Sequence, residues 1–134
     1  MSIYYTSSKE GITEEALEEL FLSVDWESGK YPKQLLQAIE GSHSVVTAWD
    51  EGKLVGLVNA LSDGVLTAYF HYALINPSYQ SNGIGKELMN MMLERYKGYK
   101  SKVLISYPDA VNFYNRLGFK SEDGSKPMYI SELV

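Results

Sequence analysis

Apolar residues recur along this chain at two periods, and the switches between them divide it into elements. Ser2 to Thr6 is a short β-rich run. The period then becomes helical, with Ala16, Leu17, Leu20, Phe21 and Val24 on one stripe. Thr13 stands where an N-cap belongs, and Glu14 and Glu15 suit the positive end of a helix dipole. Asp25 to Lys30 breaks the stripe and predicts a loop. A second helix begins at Tyr31-Pro32, because proline fits a first turn, and stops at Gly41.

A run of strands follows. Ser44 to Trp49 and Leu54 to Leu61 flank Asp50-Glu51-Gly52-Lys53, a glycine-containing loop of hairpin length. Ser62-Asp63-Gly64 makes the next turn, and Val65 to Ile75 is a long strand ended by Asn76-Pro77. Gly83 to Tyr96 predicts a helix with Ile84, Leu88, Met91 and Met92 as its apolar stripe; Glu87, Asn90, Glu94 and Lys97 lie opposite. Lys102 to Ser106 predicts a short buried strand. Asp109 opens a last helix with Ala110, Phe113, Tyr114 and Leu117 at i, i+3, i+4 and i+7, closed by Gly118. Phe119-Lys120 and Pro127 to Ile130 are expected to complete the chain as short strands. Hairpins early and a strand–helix–strand crossover late imply an α/β (α+β) class. The expected architecture is a mixed, mainly antiparallel central sheet with helices on both faces, in one domain spanning residues 1–134.

Composition narrows the function. With 134 residues, 45% hydrophobic and 22% charged, the chain is expected to be globular and soluble. A net charge of −5 argues against nucleic acid, which needs clustered Lys and Arg, and favours a cationic partner such as a protonated amine. The absence of cysteine excludes disulfides, thiolate metal sites and a Cys nucleophile, and His43 and His71 are too few and too far apart for a metal motif. Met1 to Glu10 holds no apolar run of signal-peptide length. No stretch approaches the ~18 apolar residues of a membrane span. A cytoplasmic protein without a membrane partner is expected.

The chemically informative stretch is Gln80-Ser81-Asn82-Gly83-Ile84-Gly85-Lys86, between the long strand and its helix. Its glycines let the backbone approach a ligand closely, and the first turn of a helix leaves N–H groups without internal partners. Together these form an anion site suited to a diphosphate; the plainer alternative is a tight turn whose glycines serve packing. The stretch matches neither the P-loop pattern nor the three-glycine dinucleotide fingerprint.

The stretch from Asn76 to Leu88 resembles the acetyl-CoA signature of GNAT acyltransferases, [QR]-x-x-G-x-[GA] after a strand ending near a proline. A second block, Ala110-Val111-Asn112-Phe113-Tyr114-Asn115-Arg116-Leu117-Gly118-Phe119, resembles the family's A-x-x-F-Y-x-x-x-G-F segment. From Trp49 to Phe119 the chain looks most like plastid-type and bacterial arylalkylamine (serotonin-like) N-acetyltransferases. The resemblance implies the GNAT fold and acetyl transfer from acetyl-CoA to a primary amine through a tetrahedral intermediate, without a metal. The acceptor would be a small amine, or a lysine or N-terminal amine of a protein. Gln80, Ser81, Asn82, Gly83, Ile84, Gly85 and Lys86 would then hold the CoA pyrophosphate, with Phe113 alongside. Leu74 and Ile75 would pair with the pantetheine arm as a further strand does. Many relatives carry Asn where this chain has Tyr107, and Asn112 is the expected substitute. A homodimer is also implied.

Amine acetylation needs a base for the amine and a proton for the departing thiolate. Regular alternation along the long strand puts Leu66, Ala68, Phe70, Tyr72 and Leu74 on one face. Thr67, Tyr69, His71, Ala73 and Ile75 occupy the other. His71, titrating near ~6.5, is the candidate base and coincides with a catalytic histidine of the arylalkylamine enzymes; its bland alternative is a scaffold histidine. Tyr114 matches the family's general acid, the alternative being a core tyrosine bonded to a carbonyl. A backbone N–H near Ile75 would meet the oxyanion. Trp26, Tyr31 and Tyr69 are candidates for the acceptor site, although core packing explains Trp26 and Tyr31 equally. The competing function is a non-catalytic acetyl-CoA sensor or scaffold, which the intact Tyr114 disfavours.

Overall fold

The computed structural model describes residues 2–133. Thr13 caps the first helix as its position predicts, its Oγ1 accepting the Ala16 N–H at 3.1 Å; that helix, α1, runs Glu14–Ser23 and follows strand β1, Tyr4–Thr6. Asp25 enters the left-handed region at φ 59° and the chain tightens into a 3-10 turn, Glu27–Lys30, where the sequence predicted only a loop. Pro32 then starts α2, Pro32–Glu40. Strands β2 (Ser44–Asp50), β3 (Lys53–Ser62) and β4 (Thr67–Ile75) form the expected meander, and α3 (Ile84–Arg95) crosses to β5 (Ser101–Leu104). A 3-10 turn at Pro108–Ala110 leads into α4, Val111–Arg116.

The five strands lie in sequence order, β1 to β4 antiparallel and β5 parallel to β4. Helices cover both faces. Leu17, Leu20, Phe21, Leu35 and Ile39 of α1 and α2 bury one side against Val45, Leu57 and Leu74. Ile84, Leu88, Met89 and Met92 of α3 bury the other against Val46, Val58, Ala60 and Phe70. Among the described residues no helix is long and apolar enough to cross a membrane.

Three expectations are corrected. First, β4 does not alternate regularly. Ala60 pairs with Phe70 and Val58 with Ala73, so His71 and Tyr72 both lie opposite Asn59. This β-bulge resets the phase: Ala73 and Ile75 pack with Ala68 and Phe70 on the α3 side, whereas Tyr72 joins Leu74 on the α1 side. Second, β5 is an edge strand rather than a buried one, and Val103 is exposed. Third, Phe119-Lys120 and Pro127 to Ile130 form no strands. Phe119 ties back to α4 through its N–H to the Tyr114 carbonyl at 3.1 Å and packs its ring on Phe70. Ser121 to Lys126 is polar and turn-forming, and Pro127 has no N–H to give a ladder.

Candidate active site

The β4–β5 ladder ends at Phe70 and Leu104, while β4 continues to Ile75. The two strands therefore part, and the second half of β4 keeps an edge with no strand against it. The Asn76 N–H bonds to the Val55 carbonyl at 2.8 Å, and Asn59 Oδ1 accepts the Tyr72 N–H at 2.7 Å. By alternation, the N–H and C=O groups of Ala73 and Ile75 face the gap, and those of Leu74 face β3. Leu74 itself is buried under α1.

Below the gap lies a cleft of about 710 Å³. One wall is the turn before α3. Asn76 Oδ1 accepts the Ser78 N–H at 2.9 Å, and Asn82 Nδ2 donates to the carbonyls of Tyr79 and Gln80 at 3.0 and 3.2 Å. Two carbonyls are thus tied inward by one side chain. Ser81 and Gly83 take φ values of 70° and 77°, and the first helical hydrogen bond comes only at Glu87 N–H, to the Gly83 carbonyl at 3.1 Å. Among the described residues, the amides from Ser81 to Lys86 find no protein acceptor. A left-handed turn followed by a helix start with free donors can accept an anion.

Gly85 keeps the cleft open, because a Cβ there would stand 3.4 Å from Phe113 Cζ and 3.9 Å from Ile75 Cγ1. Phe113 and Tyr114 of α4 line the opposite wall, their rings edge to face at 5.1 Å, with Phe119 5.9 Å from Tyr114. Burial pushes the Tyr114 phenol above its ordinary value. Other interior hydroxyls are engaged: Tyr96 with His43 Nδ1 and Ser44 Oγ, and Tyr72 with Ser28 Oγ. Among the described residues the Tyr114 hydroxyl makes no hydrogen bond, and no buried polar side-chain atom is left unsatisfied. Its oxygen therefore reaches the open cleft rather than the core.

The cleft brings together Leu74, Ile75, Gln80, Ser81, Gly83, Ile84, Gly85, Lys86, Phe113, Tyr114 and Trp26. It omits five sequence candidates. Asn82 braces the turn from outside, and Asn112 is exposed on α4. Tyr31 is exposed and borders a separate depression with Tyr72 and residues 130–133. Tyr69 and His71 lie on the α1 side of β4, in a run of aromatic rings: Tyr69 to His71 at 5.5 Å, His71 to Tyr72 at 4.1 Å and Tyr72 to Trp26 at 6.1 Å. Trp26 carries that run to the cleft, where Tyr107 stands 6.3 Å from it. His71 is exposed, yet its neighbouring rings take enough water from it to depress its pKa below the usual histidine value.

Two contributors escaped the sequence reading. Tyr72 is turned toward Trp26 by the bulge, which no local pattern announces. Arg116 joins Lys86 at the cleft, a second cation in a chain of net charge −5; the signal was its place one helical turn after Phe113.

The chain is similar to known proteins in sequence and in fold. The model of the acetyltransferase (GNAT) domain matches residues 7–128. The chain is 33% identical over 133 residues to the uncharacterized N-acetyltransferase ycf52 of Pyropia yezoensis, covering 93% of this chain and 75% of the relative. It is 31% identical over 121 residues to the chloroplastic serotonin N-acetyltransferase 2 of Oryza sativa subsp. japonica, covering 84% and 58%. Its fold superposes on a GNAT-family acetyltransferase of Streptococcus pneumoniae with a TM-score of 0.83 at 26% identity, covering 98% and 99%.

Proposed function

Because the chain belongs to the GNAT acetyltransferase family, we propose that it transfers the acetyl group of acetyl-CoA to a primary amine. The observation that carries this reading is the Tyr114 hydroxyl, unpartnered in a cleft that also holds the free amides of the Ser81–Lys86 turn and the unpaired edge of β4. The donor set fits the co-substrate. Main-chain N–H groups suit its diphosphate, the N–H and C=O of Ala73 and Ile75 suit the amides of its pantetheine arm, and Lys86 and Arg116 add positive charge. Acetyl-CoA supplies the activated acyl group as a thioester; the chain's own residues do the rest.

His71, kept neutral by its aromatic surroundings, accepts a proton from the amine directly or through water. Ala73 and Ile75 turn two N–H groups to the gap, and the one that the pantetheine arm leaves free donates to the carbonyl oxygen as negative charge develops there. Tyr114, held protonated by burial, gives its proton to the sulfur that leaves. The proton taken at His71 and the proton given by Tyr114 balance over one turnover.

For the acceptor, the rings of Tyr69, His71, Tyr72, Trp26 and Tyr107 support an amine that itself carries an aromatic ring. One relative is named for serotonin, which is such an amine. The test is thiol release from acetyl-CoA with tryptamine, phenethylamine, spermidine and a lysine peptide. Turnover fastest with the arylalkylamines supports the acceptor assignment, and turnover with spermidine alone refutes it. CoA binding by calorimetry without transfer to any amine would leave a sensor in place of an enzyme.

A further inference from the structure

We infer that Asp50 is a positioning residue for the diphosphate-binding turn and acts on it through Tyr79. The inference rests on the proposal that this turn binds acetyl-CoA.

Tyr79 is the residue immediately before the turn and borders the cleft, while its side chain reaches the hairpin between β2 and β3. Its hydroxyl donates to Asp50 Oδ2 at 2.6 Å, a short hydrogen bond to a charged acceptor. The same carboxylate raises the phenol's pKa, so the donor stays protonated. Lys53 stands 5.8 Å from the centre of the ring and is itself 3.3 Å from Glu19 of α1. Asp50 is well placed to act as an anchor. It closes β2 and pairs with Lys53 across the hairpin, whose tight turn at Glu51 and Gly52 has φ values of 48° and 86°.

The other hydrogen bonds of this segment are local. The Tyr79 N–H goes to the Asn76 carbonyl, the Ser78 N–H to Asn76 Oδ1, and Asn82 back to the Tyr79 and Gln80 carbonyls. Among the described residues from 77 to 83, Tyr79 to Asp50 is the one hydrogen bond that reaches a distant part of the chain, 29 positions away. A turn held only by its own atoms can fold correctly and still swing as a unit. The Asp50 contact fixes that swing. It pins one end of Tyr79 to the hairpin while Asn82 pins the carbonyl at the other, so the free amides face the cleft before any ligand arrives.

The experiment compares the wild type with Tyr79→Phe, Asp50→Ala, Asp50→Asn and the double variant Asp50→Ala/Tyr79→Phe. Each is assayed with acetyl-CoA and with S-acetylpantetheine, which lacks the diphosphate. Losing a charged hydrogen bond that orients the turn should raise KM for acetyl-CoA about tenfold and leave kcat within about twofold. Asp50→Asn keeps an acceptor and should restore most of the affinity, and the double variant should be no worse than either single one. With S-acetylpantetheine all the variants should match the wild type, which a general loss of structure would not allow. An unchanged KM in Tyr79→Phe, or equal losses with both donors, overturns the inference while CoA binding by the wild type stands. A wild type that binds no CoA by calorimetry overturns the functional proposal and this inference with it. If Asp50→Ala fails to fold, Tyr79→Phe decides alone, since it removes a single oxygen.

Discussion

His71 and Tyr72 are consecutive in a β-strand, yet their rings stack on one face with centroids 4.1 Å apart and planes 23° apart. Regular alternation would send them to opposite faces. Asn59 makes the exception possible. Buried on β3, it accepts the Tyr72 N–H through Oδ1 and donates through Nδ2 to Ser42 Oγ at 3.0 Å, which in turn donates to the Ala38 carbonyl. Without that side chain the amide of Tyr72 would be a buried donor with nothing opposite it.

Asn59→Leu, similar in size, should therefore destabilise the protein by roughly 1–3 kcal/mol, the cost of an orphaned buried amide. Urea unfolding gives the stability. Loss of the His71–Tyr72 stack should also shift the near-ultraviolet circular dichroism. Wild-type stability in Asn59→Leu would mean that the bulge is held by something other than this amide.

The sequence carries the layout of this fold because its punctuation is local. Thr13, Pro32, Gly41 and Pro77 act within one or two turns, and each ends or starts an element where the chain itself says so. The turn before α3 was legible for the same reason, since Gly83 and Gly85 declare it. The bulge was not. It arises from pairing between β3 and β4, so the alternation drawn along β4 fails at His71 and puts Tyr72 on the wrong face. Arg116 was likewise visible as a residue but not as a neighbour of the cleft, because only the packing of α4 against the sheet brings it there. The closing strands were misjudged for the opposite reason. Tyr129 and Ile130 have β-prone side chains, but a strand needs an edge to pair with, and theirs remain exposed.

Tyr114→Phe separates chemistry from stability. Among the described residues the hydroxyl has no hydrogen bond to lose, so thermal stability should stay within a degree or two, about 0.5 kcal/mol for a surface-like change. Removing the proposed general acid should lower kcat about a hundredfold at least, with little change in KM for acetyl-CoA. A large drop in melting temperature would instead place the oxygen in the scaffold.

His71 gives the pH dependence. Its folded pKa lies below the usual ~6.5 because shielding disfavours the imidazolium. With the neutral form as the proposed base, kcat/KM should hold above that value and fall as pH drops through the depressed folded pKa. Stability moves in the same sense. Between the folded pKa and ~6.5 the unfolded chain binds more protons, so acidification through that window weakens the fold. In His71→Gln the acid limb of the rate profile should disappear and the rate at pH 7 should fall about a hundredfold. Retention of the acid limb in His71→Gln would assign it to another group.

Gly83 and Gly85 stand two residues apart in the same turn, and their alanine variants should fail in different ways. Gly83 holds φ at 77° with no atom within 4 Å of where a Cβ would lie, so alanine there meets no clash and only backbone strain. That strain is about 1–2 kcal/mol. If the backbone relaxes to negative φ to escape it, the amides that follow swing away from the cleft. Gly83→Ala should therefore lose both melting temperature and CoA affinity. Gly85 has ordinary helical geometry, where alanine is about 1 kcal/mol better than glycine. Its Cβ would sit 3.4 Å from Phe113, at normal contact, so Gly85→Ala should be as stable as the wild type. The new methyl nonetheless projects between α3, Phe113 and Ile75, on the path proposed for the co-substrate, and CoA affinity should fall about tenfold by calorimetry. Equal stability losses in the two variants would show that both glycines serve packing alone, and the anion role of the turn would lose its support.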